Sequence, residues 1–358
     1  MSLCEQPSYV CESETIRLMT QQPFISVIIP VYNGSRYLNR CLDTLIASSY
    51  PSFEIIVVDD CSTDDSVEIS CSKGVTVFQS PHHFNQPTAL NFGARKARGD
   101  ILFFVDQDVE VLPETILQMV TDFEKNPDIA AVFGSYDDAP PEMNFCSQYK
   151  NLYHHFVHQH SNSDAETFMT GCGAILRRVF DELGGFDVSS GVFDIELGYR
   201  LRKMGYRILL DKKLQVKHLK RWSFSLLVHT DIFRRAIPWS QLIVERQKLI
   251  NDLNLKISDR ISTILVGLSV GILPIALFKL QVLYNILFLL AIVFFLNYQL
   301  YVFFLKYKGL KFVLLAFPMH LLYYFYSGMT FLTVSLVTMI RRNVVSDTPK
   351  PIFHESGS

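Results

Sequence analysis

The chain has no strong charge of either sign. Its 33 Lys and Arg stand against 35 Asp and Glu, a formal net charge of -2 over 358 residues. No global field draws it to nucleic acid, and no nucleic-acid partner is expected. Paired cysteines are lacking as well. Seven cysteines is an odd count, and none stands in a C-x-x-C pair. That argues against a zinc ribbon and against a disulfide framework, and it suits reduced thiols in cytosol. Met1 to Gln22 is polar, without the apolar h-region of a signal peptide, and reads as a loose leader. What is plentiful is apolar: the hydrophobic share is 49% and mean hydropathy is +0.20. The excess lies after Ile261.

The length allows one sizeable α/β domain plus an appendage. The domain is organised around Ile101 to Glu110, ILFFVDQDVE. Five apolar residues run into Asp106-Gln107-Asp108, as in a strand buried on both faces. Carboxylates at its C-terminal end sit where open α/β sheets bind ligands. Acids spaced i, i+2 there either share one hard cation, or one binds it while the other orients the ligand. Such a cation would neutralise a diphosphate. A plain acidic turn has the same sequence, so the neighbours decide.

Phe24 to Val31 is a second buried strand, closed by the turn Tyr32-Asn33-Gly34. Apolar spacing from Arg36 to Ser48 predicts a helix. Phe53 to Val58 is a third strand, ending in Asp59-Asp60. This β-α-β order predicts a parallel sheet with right-handed crossovers. An acid at the end of the third strand is placed to accept hydrogen bonds from a base or ribose, while Ser62 or Asp64 caps the next helix. Further strands are expected at Val75–Phe78 and Ile129–Ser135, and helices at Ala89–Ala97 and from Pro113 to about Lys125. Asp137-Asp138 is a second, weaker metal candidate. His154 and His158 share one helical face at a spacing that can bind zinc, but no cysteine or matching helix completes a site, so packing is the expected role. Gly171 and Gly173 allow close backbone approach to a ligand. Asp194 opens a helix that Gly205 ends. The helix dipole favours its anion, the form a general base needs.

The segments FISVIIPVYN, EIIVVDDCSTDDS, GDILFFVDQDVEVLP and GGFD…DIELGYRLRKMGYRI come in the order seen in family 2 glycosyltransferases, which the chain resembles over roughly Phe24 to Trp222. The resemblance implies an α/β nucleotide-diphospho-sugar-binding domain of the GT-A fold, with a mostly parallel, Rossmann-like sheet, and an inverting transfer. Pro30 and Tyr32 match positions beside the nucleotide base, and Asp60 matches the acid that holds it. Asp108 matches the direct metal ligand of the D-x-D motif, for Mg2+ or Mn2+, with Asp106 nearer the donor ribose and sugar. Asp194 matches the catalytic base. The implied donor is a UDP- or GDP-sugar. Two positions depart from the pattern: Phe193 precedes the base where many relatives have Glu, and Leu90 stands where many have Arg. The second leaves the usual diphosphate contact in doubt, with Arg95 and Arg98 as the nearest replacements. His218, Arg221 and Trp222 partly resemble the Q-x-x-R-W motif of membrane polysaccharide synthases, where Trp stacks on the acceptor and Arg faces the diphosphate.

Aromatic and basic residues interleave from Trp222 to Ile250, as in a helix lying at headgroup level. Ile261–Phe278, Val282–Leu305 and Phe312–Ile340 each reach the roughly 17 residues needed to span a bilayer. Lys306, Lys308 and Lys311 then place the loop between the second and third in the cytosol, with the catalytic domain. Pro318 and His320 leave room for a kinked or re-entrant third segment. The expected organisation is a leader (1–22), a GT-A domain (23–222), interfacial helices (223–260), about three transmembrane helices (261–342) and a polar tail (343–358). The leading expectation is a membrane glycosyltransferase acting on a lipid or glycan acceptor, in contact with membrane lipids. The contrasting one is a non-catalytic sugar-nucleotide-binding scaffold.

Overall fold

The computed structural model describes residues 22–246, 252–253, 255–276 and 278–346. The leader up to residue 21, the end of the aromatic-basic segment (247–251) and the tail from 347 lie outside the described residues. The chain divides into two units, one reaching Phe224 and the other beginning at Ser225, with 252–254 belonging to the first.

In the first unit the elements are β1 (Ile25–Val31), α1 (Ser35–Ile46), β2 (Phe53–Asp59), α2 (Ser66–Ser72), β3 (Thr76–Gln79), α3 (Gln86–Lys96), β4 (Ile101–Val105), β5 (Val109–Glu110), α4 (Thr115–Lys125), β6 (Ile129–Tyr136), α5 (Phe145–Gln159), β7 (Cys172–Leu176), α6 (Arg177–Glu182), α7 (Phe193–Lys203) and β8 (Arg207–His218). The strands form one sheet in the order β3-β2-β1-β4-β7-β6-β8-β5. β3, β2, β1 and β4 are parallel, as the β-α-β reading requires. β7 runs antiparallel to both β4 and β6, so the sheet is mixed. Strand β4 is buried along its whole length, and Phe103 and Phe104 are fully enclosed. Burial on that scale is worth about 2 kcal/mol per side chain.

Local chemistry sets the helix starts. The Asn85 side chain accepts from the Thr88 amide, and Pro87 occupies the first turn of α3. Asn144 caps α5 the same way through the Ser147 amide. Asn33 adopts φ 49° at the β1–α1 turn, a left-handed conformation that asparagine tolerates. Parallel register puts Val31 opposite Asp59 and Ile28 opposite Phe104. The C-terminal ends of β2, β1 and β4 therefore share one edge, where the acids and Tyr32 emerge.

The second unit is helical: α8 (Phe224–His229, starting on the last residue of the first unit), a π-helical stretch (Thr230–Ala236), α9 (Ile237–Arg246), α10 (Ile257–Ala276), α11 (Gln281–Leu296), α12 (Tyr298–Lys308) and α13 (Leu310–Ser346). Two helices, α10 and α13 up to Arg341, are long and apolar enough to cross a membrane. A third span exists only if α11 and α12, bent by 72° at Asn297, count as one. Pro318, where the sequence left room for a kinked or re-entrant segment, does not end the helix; α13 continues through that proline, as helices with packed neighbours can. The break falls at Asn297 instead. Its side chain donates to Val293 O and to Ser262 Oγ, and its Oδ1 lies 2.8 Å from the Tyr324 hydroxyl.

Candidate active site

Backbone and side-chain bonds tie the three strand ends together. The Asp60 amide donates to Val31 O at 2.7 Å. Gln107 spans from β4 to β1: its Oε1 accepts from the Tyr32 amide at 3.0 Å and its Nε2 donates to Tyr32 O. A Cβ on Gly34 would meet that Oε1 at 2.4 Å, so glycine is what lets Gln107 lie there. Pro30 is paired in register with Val58 one residue below this edge.

Asp60 is almost fully buried. Its Oδ1 accepts from the Phe84 amide at 2.7 Å, and its Oδ2 lies 3.0 Å from His83 Nδ1. The His83 ring also stacks on Tyr32 at 4.1 Å. One imidazole thus covers both residues expected beside a base.

Asp106 accepts from Gln86 Nε2 at 2.9 Å. Burial, then the charges of Asp108 and Asp194, push its carboxyl up to about 7, against the pull of Lys220 and Gln86. Burial also raises Asp108, but His218 and Lys220 outweigh it and hold that carboxyl below its ordinary range. The expected acids Asp106, Asp108 and Asp194 therefore act on one another electrostatically. Asp194 is the second residue of α7, half-buried, with its Oδ1 accepting from the Ile195 amide. Glu196, the nearest other carboxylate on that helix, is buried and paired to Arg200 at 2.7 Å.

His218 reaches this cluster through β5. Val109 pairs with His218, the Leu219 amide donates to Asp108 O, and His218 Nε2 stands 3.6 Å from Asp108 Oδ2. Its ring stacks on Tyr136 at 4.5 Å and 7°. Gly171 faces the same spot: a Cβ there would lie 2.8 Å from the Tyr136 hydroxyl and 3.3 Å from Asp106 Oδ2. The close approach expected of that glycine is made to site side chains.

Other expectations move. Trp222 is 2% exposed. Its amide donates to Ser147 Oγ, and Lys220 Nζ lies over its ring at 4.9 Å. The flat face expected to meet an acceptor is enclosed. Arg221 is exposed, with its Nε 3.9 Å from Glu142 and its amide donating to the Tyr37 hydroxyl. Arg98 pairs with Glu54 near the start of β2, the far end of the sheet, and Arg95 lies over Phe92, so neither replaces the missing arginine. Leu90 is core, and Asn91 pins the following turn by two bonds to the Phe186 backbone. The lysine whose charge acts on both Asp106 and Asp108 is Lys220, which the sequence reading passed over, as it did Gln86, Gln107, His83, Tyr136 and Asn151. Asp137, of the weaker metal candidate Asp137-Asp138, is ion-paired to Lys217, which also donates to Ala139 O. His154 and His158 pack near the Tyr136 ring, as the packing expectation held.

Among the described residues, no three His, Cys, Asp or Glu side chains form a ready-made metal cage. Two carboxylates with an imidazole alongside nonetheless suit Mg2+ or Mn2+ in chemistry. Burial first, and then the Asp108 charge, raise the Asp106 carboxyl, and a cation beside the pair would favour its ionised form.

Residues 26–184 match the family model for glycosyl transferase family 2. An uncharacterized glycosyltransferase of Haemophilus influenzae is 41% identical over 91 residues, covering 24% of this chain and 36% of the relative. The O-antigen biosynthesis protein RfbC of Myxococcus xanthus is 26% identical over 219 residues, covering 55% and 17%. The matches thus span little more than a third of these relatives at most. The mannosyltransferase PcManGT from Pyrobaculum calidifontis, solved with GDP-Man and Mn2+, superposes with a TM-score of 0.55 at 19% identity, over 90% of this chain and 88% of that one. S. aureus TarS 1-349, solved with UDP-GlcNAc, gives 0.50 at 15%, over 89% and 92%. These two likenesses establish the fold. Residues 26–184 are thus similar to family 2 glycosyltransferases, the sheet unit has the GT-A fold, and among the described residues two of the helices that follow are long and apolar enough to be membrane spans.

Proposed function

We propose that the chain transfers a sugar from a nucleoside diphosphate sugar to a hydroxyl of a lipid or glycan acceptor, with inversion, at the cytosolic face of a membrane. The observation that carries this reading is that the charges of Asp108 and Asp194 both act on Asp106, which supports reading the D-x-D acids and the base as one site. PcManGT and TarS, solved with GDP-Man and UDP-GlcNAc, support a nucleotide sugar as donor.

Tyr32 and Asp60 hold the base, with Pro30 below them and His83 moving aside. Asp108, with Asp106 and His218 alongside, would hold a divalent cation, which would supply positive charge to the leaving diphosphate. Lys220 adds fixed positive charge on the same side. Asp194 takes the proton of the acceptor hydroxyl. The acceptor oxygen then bonds to the anomeric carbon as the bond to the diphosphate oxygen breaks on the opposite face. One base and one displacement give inversion. Arg221, exposed beside Glu142, is the fork available to an acceptor phosphate.

Helices α10 and α13 cross the bilayer in this reading, and α11–α12 forms one broken span. The α8–α9 segment lies at headgroup level, where exposed Phe224, Leu226 and Phe233 meet the interface beside Arg234 and Arg235. Lys306, Lys308 and Lys311 put the catalytic side in the cytosol. The test is a panel of UDP- and GDP-sugars offered with Mn2+ to the full chain in detergent, with and without lipid acceptors. Turnover of one donor, raised by an acceptor, is the expected result. Nucleotide binding without turnover of any donor would instead identify a scaffold.

A further inference from the structure

We infer that Asn151 is a positioning residue for His218, fixing the tautomer that presents the Nε2 lone pair to the cation site. This rests on the metal reading above and extends it to a residue on α5 that touches neither donor nor carboxylates.

The two nitrogens of His218 face different partners. Nδ1 lies 2.7 Å from Asn151 Oδ1, a full hydrogen bond, and a carbonyl oxygen can only accept. The proton is then on Nδ1. Nε2 carries a second proton in the imidazolium, whose charge holds the Asp108 carboxyl low, and a lone pair once a metal cation takes that proton's place. Nε2 faces Asp108 Oδ2 at 3.6 Å, too long for a hydrogen bond. A lone pair opposite a carboxylate is unfavourable, so either a proton or a metal cation lies between them, and a bound metal takes the place of the proton. The ring cannot turn away readily, because it stacks on Tyr136 at 7° and is only 7% exposed. Asn151 is itself 2% exposed, held on the buried face of a helix capped by Asn144. Its Nδ2 is buried and has no hydrogen-bond partner. The amide could turn over and give Nδ2 to His218 instead, which would put the proton on Nε2. The two arrangements make opposite predictions for an acid at this position, because a carboxylate can accept but not donate.

Metal-bound histidines usually donate their other N–H to such a partner, and removing the partner typically weakens metal binding by about 10- to 100-fold. The test titrates Mn2+ into the full chain in detergent with UDP, and separately with GDP, following free Mn2+ by electron paramagnetic resonance. Asn151→Leu, similar in volume and without an acceptor, should weaken Mn2+ binding by about 10-fold or more. Asn151→Asp, which still accepts from Nδ1–H, should bind within a few-fold of the unmodified chain. Selective 15N labelling supplies a readout in the unmodified chain, free of any variant's folding. With Mg2+ and nucleoside diphosphate bound, the His218 signals, assigned by their loss in His218→Gln, should be those of an imidazole protonated at Nδ1 alone, the tautomer that free histidine disfavours. Unchanged Mn2+ binding in Asn151→Leu, equal losses in the Leu and Asp variants, or an Nε2-protonated ring would each overturn the inference and leave the metal reading standing. Absence of Mn2+ binding to the unmodified chain would overturn both.

Discussion

Gly171→Ala tests how closely the site is packed. Gly171 is not among the residues with positive φ, so alanine fits its backbone. The added Cβ does not fit the space. It would lie 2.8 Å from the Tyr136 hydroxyl, inside ordinary contact, and 3.3 Å from Asp106 Oδ2. Tyr136 cannot retreat without taking along the His218 ring stacked on it, and His218 faces Asp108. Forcing a methyl group into a packed site costs about 1–3 kcal/mol. If that strain falls on Asp106 and Tyr136, kcat/KM for the donor drops by about 5- to 150-fold, at 1.36 kcal/mol per tenfold. The assay is steady-state release of nucleoside diphosphate, with thermal unfolding measured beside it. Removing the nearer obstacle should restore part of the loss, so Gly171→Ala with Tyr136→Phe should exceed Gly171→Ala alone. A Gly171→Ala enzyme with wild-type kcat/KM and unchanged melting would refute the reasoning.

Two further predictions concern stability. Trp222→Ala should destabilise the first unit by about 3–5 kcal/mol, because a large enclosed side chain is deleted; a melting temperature within 1–2 °C of wild type, on the scale of roughly 2–4 °C per kcal/mol, would contradict this. Burial and the charge of Asp211 push the Asp122 carboxyl up to about 7. A carboxyl raised in the folded state stabilises it below the unfolded value and loses that contribution as pH rises through 7. Asp122→Asn keeps the neutral form, so it should melt higher than wild type at pH 8, by about 1 kcal/mol after allowing for its partial exposure, with the gap closing toward pH 4. Equal melting at both pH values would sink that assignment.

The parallel half of the sheet was legible because buried parallel strands are apolar throughout and end abruptly in acids. EIIVVDD and ILFFVDQD show that pattern and become β2 and β4, while FISVIIPV, which becomes β1, ends in the polar turn Tyr32-Asn33-Gly34 instead. The approach of His218 to Asp108 was not legible. It depends on β5, two residues long, pairing with the end of a twelve-residue strand. A two-residue strand has no periodicity to read. Lys220 was hidden for the same reason, since it follows that strand directly. Trp222 is enclosed where its backbone amide bonds to Ser147, 75 residues earlier, a long-range neighbour that sequence spacing does not carry. The helix break was sought at Pro318, the residue that lacks an amide proton. It lies at Asn297, whose polar side chain is satisfied by Ser262 and Tyr324 far along the chain.

The most direct test separates donor binding from transfer in three forms of the full chain: wild type, Asp108→Asn and Asp194→Asn. Binding of the donor is measured by titration with Mn2+ and with excess chelator, and transfer by product release at saturating donor. Asp194→Asn should bind the donor nearly as wild type does while transfer falls by about 10² or more. Asp108→Asn should lose Mn2+-dependent binding and transfer together, and chelator should do the same to wild type. Full transfer by wild type in chelator, or by Asp194→Asn at saturating donor, would contradict the account.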